Sequence, residues 1–124
     1  MVEHKGESGN IKISDEAIAS IASIASMEVD GVVGLDGGSA ASFAEAIGIK
    51  DPAKGIKVDL LNENVSVDIN IIVDFGREVS DVAAEVQDKV RESIESMTGL
   101  NVNKVNVNIN GVRKNTAANG NYKI

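Results

Sequence analysis

Two stretches of the chain alternate between apolar and mostly polar positions. Val65, Val67, Ile69, Ile71, Val73 and Phe75 are interleaved with Ser66, Asp68, Asn70, Ile72 and Asp74, and Ile56, Val58 and Leu60 with Lys57, Asp59 and Leu61. A period of two belongs to half-buried strands. A turn at Asn62-Glu63 pairs Ile56 with Ile69, Val58 with Val67 and Leu60 with Val65 on one face, and Lys57 with Asp68 on the other. A slip by one residue would expose the whole apolar set, so this register is strongly specified. Asp59 and Asp68 are thereby explained as residues of a sheet surface.

Two other stretches follow the helical period. Ser14 is placed to cap a helix running to about Met27, with Asp15 and Glu16 at the positive end of its dipole. Ile18, Ile21, Ala22, Ile24 and Ala25 form its apolar side, whereas Ala19, Ser20, Ser23 and Ser26 make the other side small rather than charged. That small side reads first as packing within the domain and second as a close-packing surface for another chain. A second helix, with Ser80 as its cap, runs to about Met97. It carries Val79, Val82, Ala83, Val86, Val90, Ile94 and Met97 inward and Asp81, Glu85, Asp88, Lys89, Arg91, Glu92 and Glu95 outward. Glu85 and Lys89 suit an i,i+4 pair, and Gly99 suits a left-handed C-cap.

Between these signals lie a short strand at 10–13, a turn at Asp30-Gly31 leading into an apolar strand to Leu35, and a Gly/Ser/Ala-rich segment. That segment, 36–55, ends at the Asp51-Pro52 turn signal, and Ala40 to Ile47 within it suits a short helix. A last strand spans Leu100 to Gly111, with Val105, Val107 and Ile109 on one side and Asn106, Asn108 and Asn110 on the other. The fold expected is α+β: a two-layer sandwich in β-α-β-β-β-α-β order, with a mixed sheet and both long helices on one face. Residues 1–9 read as a flexible N-terminal tail, 10–111 as a single domain with 36–55 as a variable loop insert, and 112–124 as a flexible basic tail.

Composition narrows the chemistry. A chain of 124 residues with 43% hydrophobic positions can remove roughly two-thirds of its unfolded surface from water, enough for a core without metal or disulfide. It has no cysteine and one histidine, His4, set in a polar stretch, which excludes thiol catalysis and Cys/His zinc sites. Phe43, Phe75 and Tyr122 are the whole aromatic complement, too few to stack on bases or sugars. The net charge of -7 is concentrated early: 14–49 holds Asp15, Glu16, Glu28, Asp30, Asp36 and Glu45 and no Lys or Arg. Unaided binding to nucleic acid or anionic lipid, which needs clustered bases, is therefore not expected. The apolar run Ala17 to Met27 is too short for the roughly 20 residues of a membrane span, and the opening residues lack the apolar core of a secretory signal. A cytoplasmic location follows as the expectation.

Apparent motifs dissolve under the same scrutiny. Gly31-Val-Val-Gly34 has the spacing of a nucleic-acid-clamping loop but is flanked by Asp30 and Asp36, and Gly34 to Ser39 lacks the lysine of a phosphate loop. Asp68 and Asp74 share a strand face but stand roughly 20 Å apart, too far to hold one ion. No catalytic residue, cofactor site or metal site is expected. The uncharged row Asn106, Asn108 and Asn110 can hydrogen-bond a partner without lateral repulsion, although a plain solvent-facing sheet surface is the better account of it. Candidate partner contacts are that row, Ser20 and Ser23 on the first helix, and Glu85 and Glu92 on the second, the last two meeting a basic partner.

Five segments in order, 9–18 (GNIKISDEAI), 27–35 (MEVDGVVGL), 65–76 (VSVDINIIVDFG), 82–97 and 98–112 (TGLNVNKVNVNINGV), resemble the alkaline shock protein family of Gram-positive bacteria. The resemblance implies an abundant, small, acidic cytoplasmic protein of envelope stress response and homeostasis, not an enzyme. It also implies self-association and, in some members, tethering beneath the membrane through a small membrane-anchored protein. The family offers no catalytic or ligand residues to carry over. A non-catalytic scaffold or adaptor is the expectation, with a regulatory module that senses a lipid-synthesis metabolite or enzyme as the alternative.

Overall fold

A computed structural model describes residues 2–6, 8–37 and 55–114. The alternating stretches form strands β4 (Ile56–Leu61) and β5 (Asn64–Asp74), joined at Asn62, whose φ of 59° makes the tight reversal. The register matches expectation pair for pair: Ile56 with Ile69, Val58 with Val67, Leu60 with Val65 and Lys57 with Asp68. Two further strands flank β5. β3 (Val32–Leu35) pairs with it antiparallel, and the last strand β6 (Asn101–Arg113) pairs with it parallel along its whole length. A parallel neighbour requires a crossover. The amphipathic helix α2 (Val79–Thr98) supplies it.

β3 and β4 lie end to end on the same side of β5, opposite Ile71–Val73 and Asn64–Ile69 respectively. Asn70 stands at the junction. Its carbonyl accepts from the Asp36 N–H at 2.9 Å, and its own N–H donates to the Gly55 carbonyl at 2.8 Å. The chain thus leaves this edge and rejoins it at a single rung. The short helix expected over 40–47 lies outside the described residues.

One face of the sheet is covered by α2 and by helix α1 (Asp15–Met27). Val65, Val67, Ile69, Ile71 and Val73 of β5 meet Ile18, Ala22 and Ala25 of α1 and Val82, Val86, Val90 and Ile94 of α2 in a continuous core. The fold is α+β with a mixed sheet, as the pattern predicts. The Ser14 hydroxyl accepts from the Ala17 N–H at 3.1 Å and caps α1. Ser14→Ala is expected to lower stability by about 1 kcal/mol, read as a shifted urea midpoint with an unchanged slope.

Several expectations are corrected. Val2–Gly6 is not a tail but a strand, β1, paired antiparallel with β2 (Gly9–Ile13) in a separate two-stranded ribbon. The element order therefore begins with one more strand. In α1, Ala19 and Ser26 are buried while Ile24 is 64% exposed. Small side chains let the helix lie close to the layer beneath, and that approach selects the face. The N-cap of α2 lies two residues before the expected one: Glu78 holds the position without a side-chain bond, and Ser80 lies in the first turn. Lys89 pairs with Glu28 of the loop after α1 at 3.4 Å rather than within its own helix. Gly99 takes the left-handed C-cap at φ 74°, as expected. β6 runs to Arg113, so Val112 and Arg113 belong to the sheet and not to a tail.

Candidate functional site

The face of the sheet opposite the helices carries the expected row of asparagines, all exposed among the described residues. The row is engaged within the molecule. Asn106 Nδ2 donates to Asp68 Oδ1 at 2.8 Å, Asn108 Nδ2 to Asn70 Oδ1 at 3.0 Å, and Asn110 Nδ2 to Asp36 Oδ2 at 3.3 Å. Asn101 Nδ2 bridges Asn64 and Asn103, both at 2.9 Å. Cross-strand side-chain bonds of this kind hold the amides in fixed orientations. The result is a polar surface whose groups are positioned before any partner arrives. Asp68 and Asn70, outside the sequence-based set, complete it; their place on the polar side of the β5 alternation was the available signal.

Glu85 and Glu92 lie elsewhere, with Glu28, Val29, Asp88 and Lys89, around an open cleft of about 300 Å³ between the end of α1 and α2. Four carboxylates against one ammonium make this the acidic flank of α2. Ser20 and Ser23 are half-buried on α1, across the sheet from the asparagine row. The seven predicted residues therefore occupy three separate surfaces. Among the described residues no cluster of three or more acidic or histidine side chains is placed to hold a metal, and no helix is long and apolar enough to cross a membrane.

A further feature was not legible in the sequence. The opposite flank of α2 reaches over the outer edge of β6: Gln87 Nε2 donates to the Val105 carbonyl at 2.9 Å, and the Val102 N–H donates to Glu95 Oε2 at 3.0 Å.

Comparison with known proteins adds a context. The pattern of the alkaline shock protein 23 family, described as having a cell envelope-related function, matches residues 3–114. The uncharacterized protein YqhY of Bacillus subtilis is 38% identical over 110 residues, covering 89% of this chain and 82% of that protein. A stress response regulator gls24 homolog of Streptococcus pyogenes is 28% identical over 102 residues, covering 82% of this chain but 57% of the relative. Among solved structures, MamM-CTD aligns over 79% of this chain and 98% of its own at 17% identity with a TM-score of 0.49, a likeness too loose to carry an argument.

Proposed function

The chain belongs to the alkaline shock protein 23 family, and from that premise we propose that it is a non-catalytic cytoplasmic scaffold of the envelope stress response, acting through self-association and protein partners. The family's envelope-related function and the stress-regulator relatives set the process. The shape of the available surfaces supports the mode of action. The apolar face of the sheet is covered by the two helices, leaving a pre-bonded polar face and an acidic flank. Small-molecule sites are mostly apolar and enclosed. The cleft between α1 and α2 is open and lined by charge, with Val29 its one apolar wall residue. Its four carboxylates suit a basic segment of a partner, such as the cytoplasmic end of a small membrane-anchored protein.

Light scattering on the eluting protein across a concentration series, at low and at physiological salt, tests the reading. Mass is expected to rise with concentration, and to rise further when salt screens the net charge of -7. A monomer at every concentration and salt would remove self-association from the account.

A further inference from the structure

We propose that β6 is the strand through which copies of this chain associate: two β6 strands pair antiparallel about a two-fold axis at Val107, joining two sheets into one. This rests on the self-association of the scaffold reading and assigns its surface.

Among the described residues β6 has one strand neighbour, β5, and its other edge pairs with no strand. In a parallel ladder alternate residues direct both backbone groups to the same side. The Val105 carbonyl is bonded to Gln87 and therefore points outward. The pairing with β5 is regular from Ser66 opposite Lys104 to Ile71 opposite Ile109, so Val107 and Ile109 share that outward direction. Only the beginning of the edge is capped, by Gln87 and Glu95; the backbone groups of Val107 and Ile109 meet no side chain of α2. A long edge without proline or inward charge is a template for another strand.

Charge points to the same place. The chain carries -7, yet residues 99–114 hold no acid and three bases, Lys104, Arg113 and Lys114. Helical spacing runs Asp81, Glu85, Asp88 and Glu92 along the outer side of α2, and the last three line the cleft toward α1. The flank over the β6 edge, marked by Gln87, carries Ser80, Ala83 and Arg91, and between it and the acidic row lie Ala84 and Glu95, whose carboxylate is bonded to the Val102 N–H. Two acidic molecules therefore repel each other least along this side.

The edge is also its own complement. Between its two register shifts β6 has three outward residues, Val105, Val107 and Ile109, and Val107 is their centre. Antiparallel pairing about Val107 sets Val105 opposite Ile109 under the helices, Asn106 opposite Asn108 on the polar face, and Lys104 opposite Asn110. Like charges do not meet. A lone peptide strand would leave the Ala83 and Ala84 flank bare, whereas a second copy brings its own α2 to cover it.

The chain has no cysteine, so introduced thiols report alone. Asn106→Cys and Asn108→Cys chains are mixed in equal amounts and mildly oxidised. The mixed 106–108 disulfide is expected to form several-fold faster than 106–106 or 108–108; equal rates, or no cross-link, overturn the pairing. In parallel, sedimentation velocity compares the wild type with Ala84→Glu, an exposed helix position, and with Val107→Pro, whose lost N–H faces away from β5. Both are expected to weaken association at least tenfold. Should Val107→Pro fail to fold by circular dichroism, Ala84→Glu and the cross-links decide. An associating wild type that neither variant disturbs overturns this surface and leaves the scaffold standing; a wild type that never associates overturns both.

Discussion

Ile69→Ala is expected to destabilise the domain by about 3–4 kcal/mol, the largest loss of any single truncation in the sheet. Ile69 is 0% exposed on the central strand, between Ile56 of β4 and Val107 of β6, with Val67 and Ile71 beside it on the same face. Strand neighbours surround its side chain and the helical layer closes over it, so little can relax into the space left by the lost atoms. The transfer and cavity contributions then add. Urea denaturation followed by circular dichroism measures this directly. A loss under about 1 kcal/mol would mean that the layers collapse around the truncation, contrary to the packing described.

A comparable loss, about 3 kcal/mol, is expected for Gly31→Ala, from two separate causes. Gly31 has φ +100°, a backbone conformation that side chains disfavour, and a Cβ there would stand 2.7 Å from Cγ2 of Val82 in α2. The residue cannot shift freely, because its carbonyl accepts from the Asp74 N–H at 2.8 Å and ties the turn to the end of β5. Val82→Ala in the same chain removes the clash but not the backbone strain. The double variant is expected to recover about 1 kcal/mol relative to the sum of the two single losses. Strict additivity would show that the clash plays no part.

The elements that could be read from sequence are those whose physics is local or strictly periodic. The β4–β5 register followed from which residues must face the core, and Ser14 and Gly99 followed from backbone groups that a helix end leaves unsatisfied. The asparagine row followed from alternation, but its bonds to Asp36, Asp68 and Asn70 did not. Which strand lies beside β6 is a matter of topology, and period alone does not encode it. The face of α1 was misjudged at Ile24 because a helix of alanine, serine and isoleucine has no charged side to orient it. Val2–Gly6 has no apolar alternation to mark it as a strand; backbone pairing with β2 defines β1. Lys89 had an acid one turn away in its own helix and meets Glu28 through tertiary proximity instead. The reach of Gln87 and Glu95 to β6 is likewise tertiary.

The two backbone bonds at Asn70 have a practical consequence. Since the Asp36 N–H and the Gly55 carbonyl both bond to this one residue, the stretch 38–54 departs and returns with its ends already held together by the sheet. Loop closure grows only slowly with length, each doubling costing about 0.6 kcal/mol once the ends are fixed. The position is therefore a natural graft point. A fluorescent reporter whose own termini lie close together can replace this stretch and leave both the polar face and the β6 edge untouched, which would let the protein be followed inside living cells.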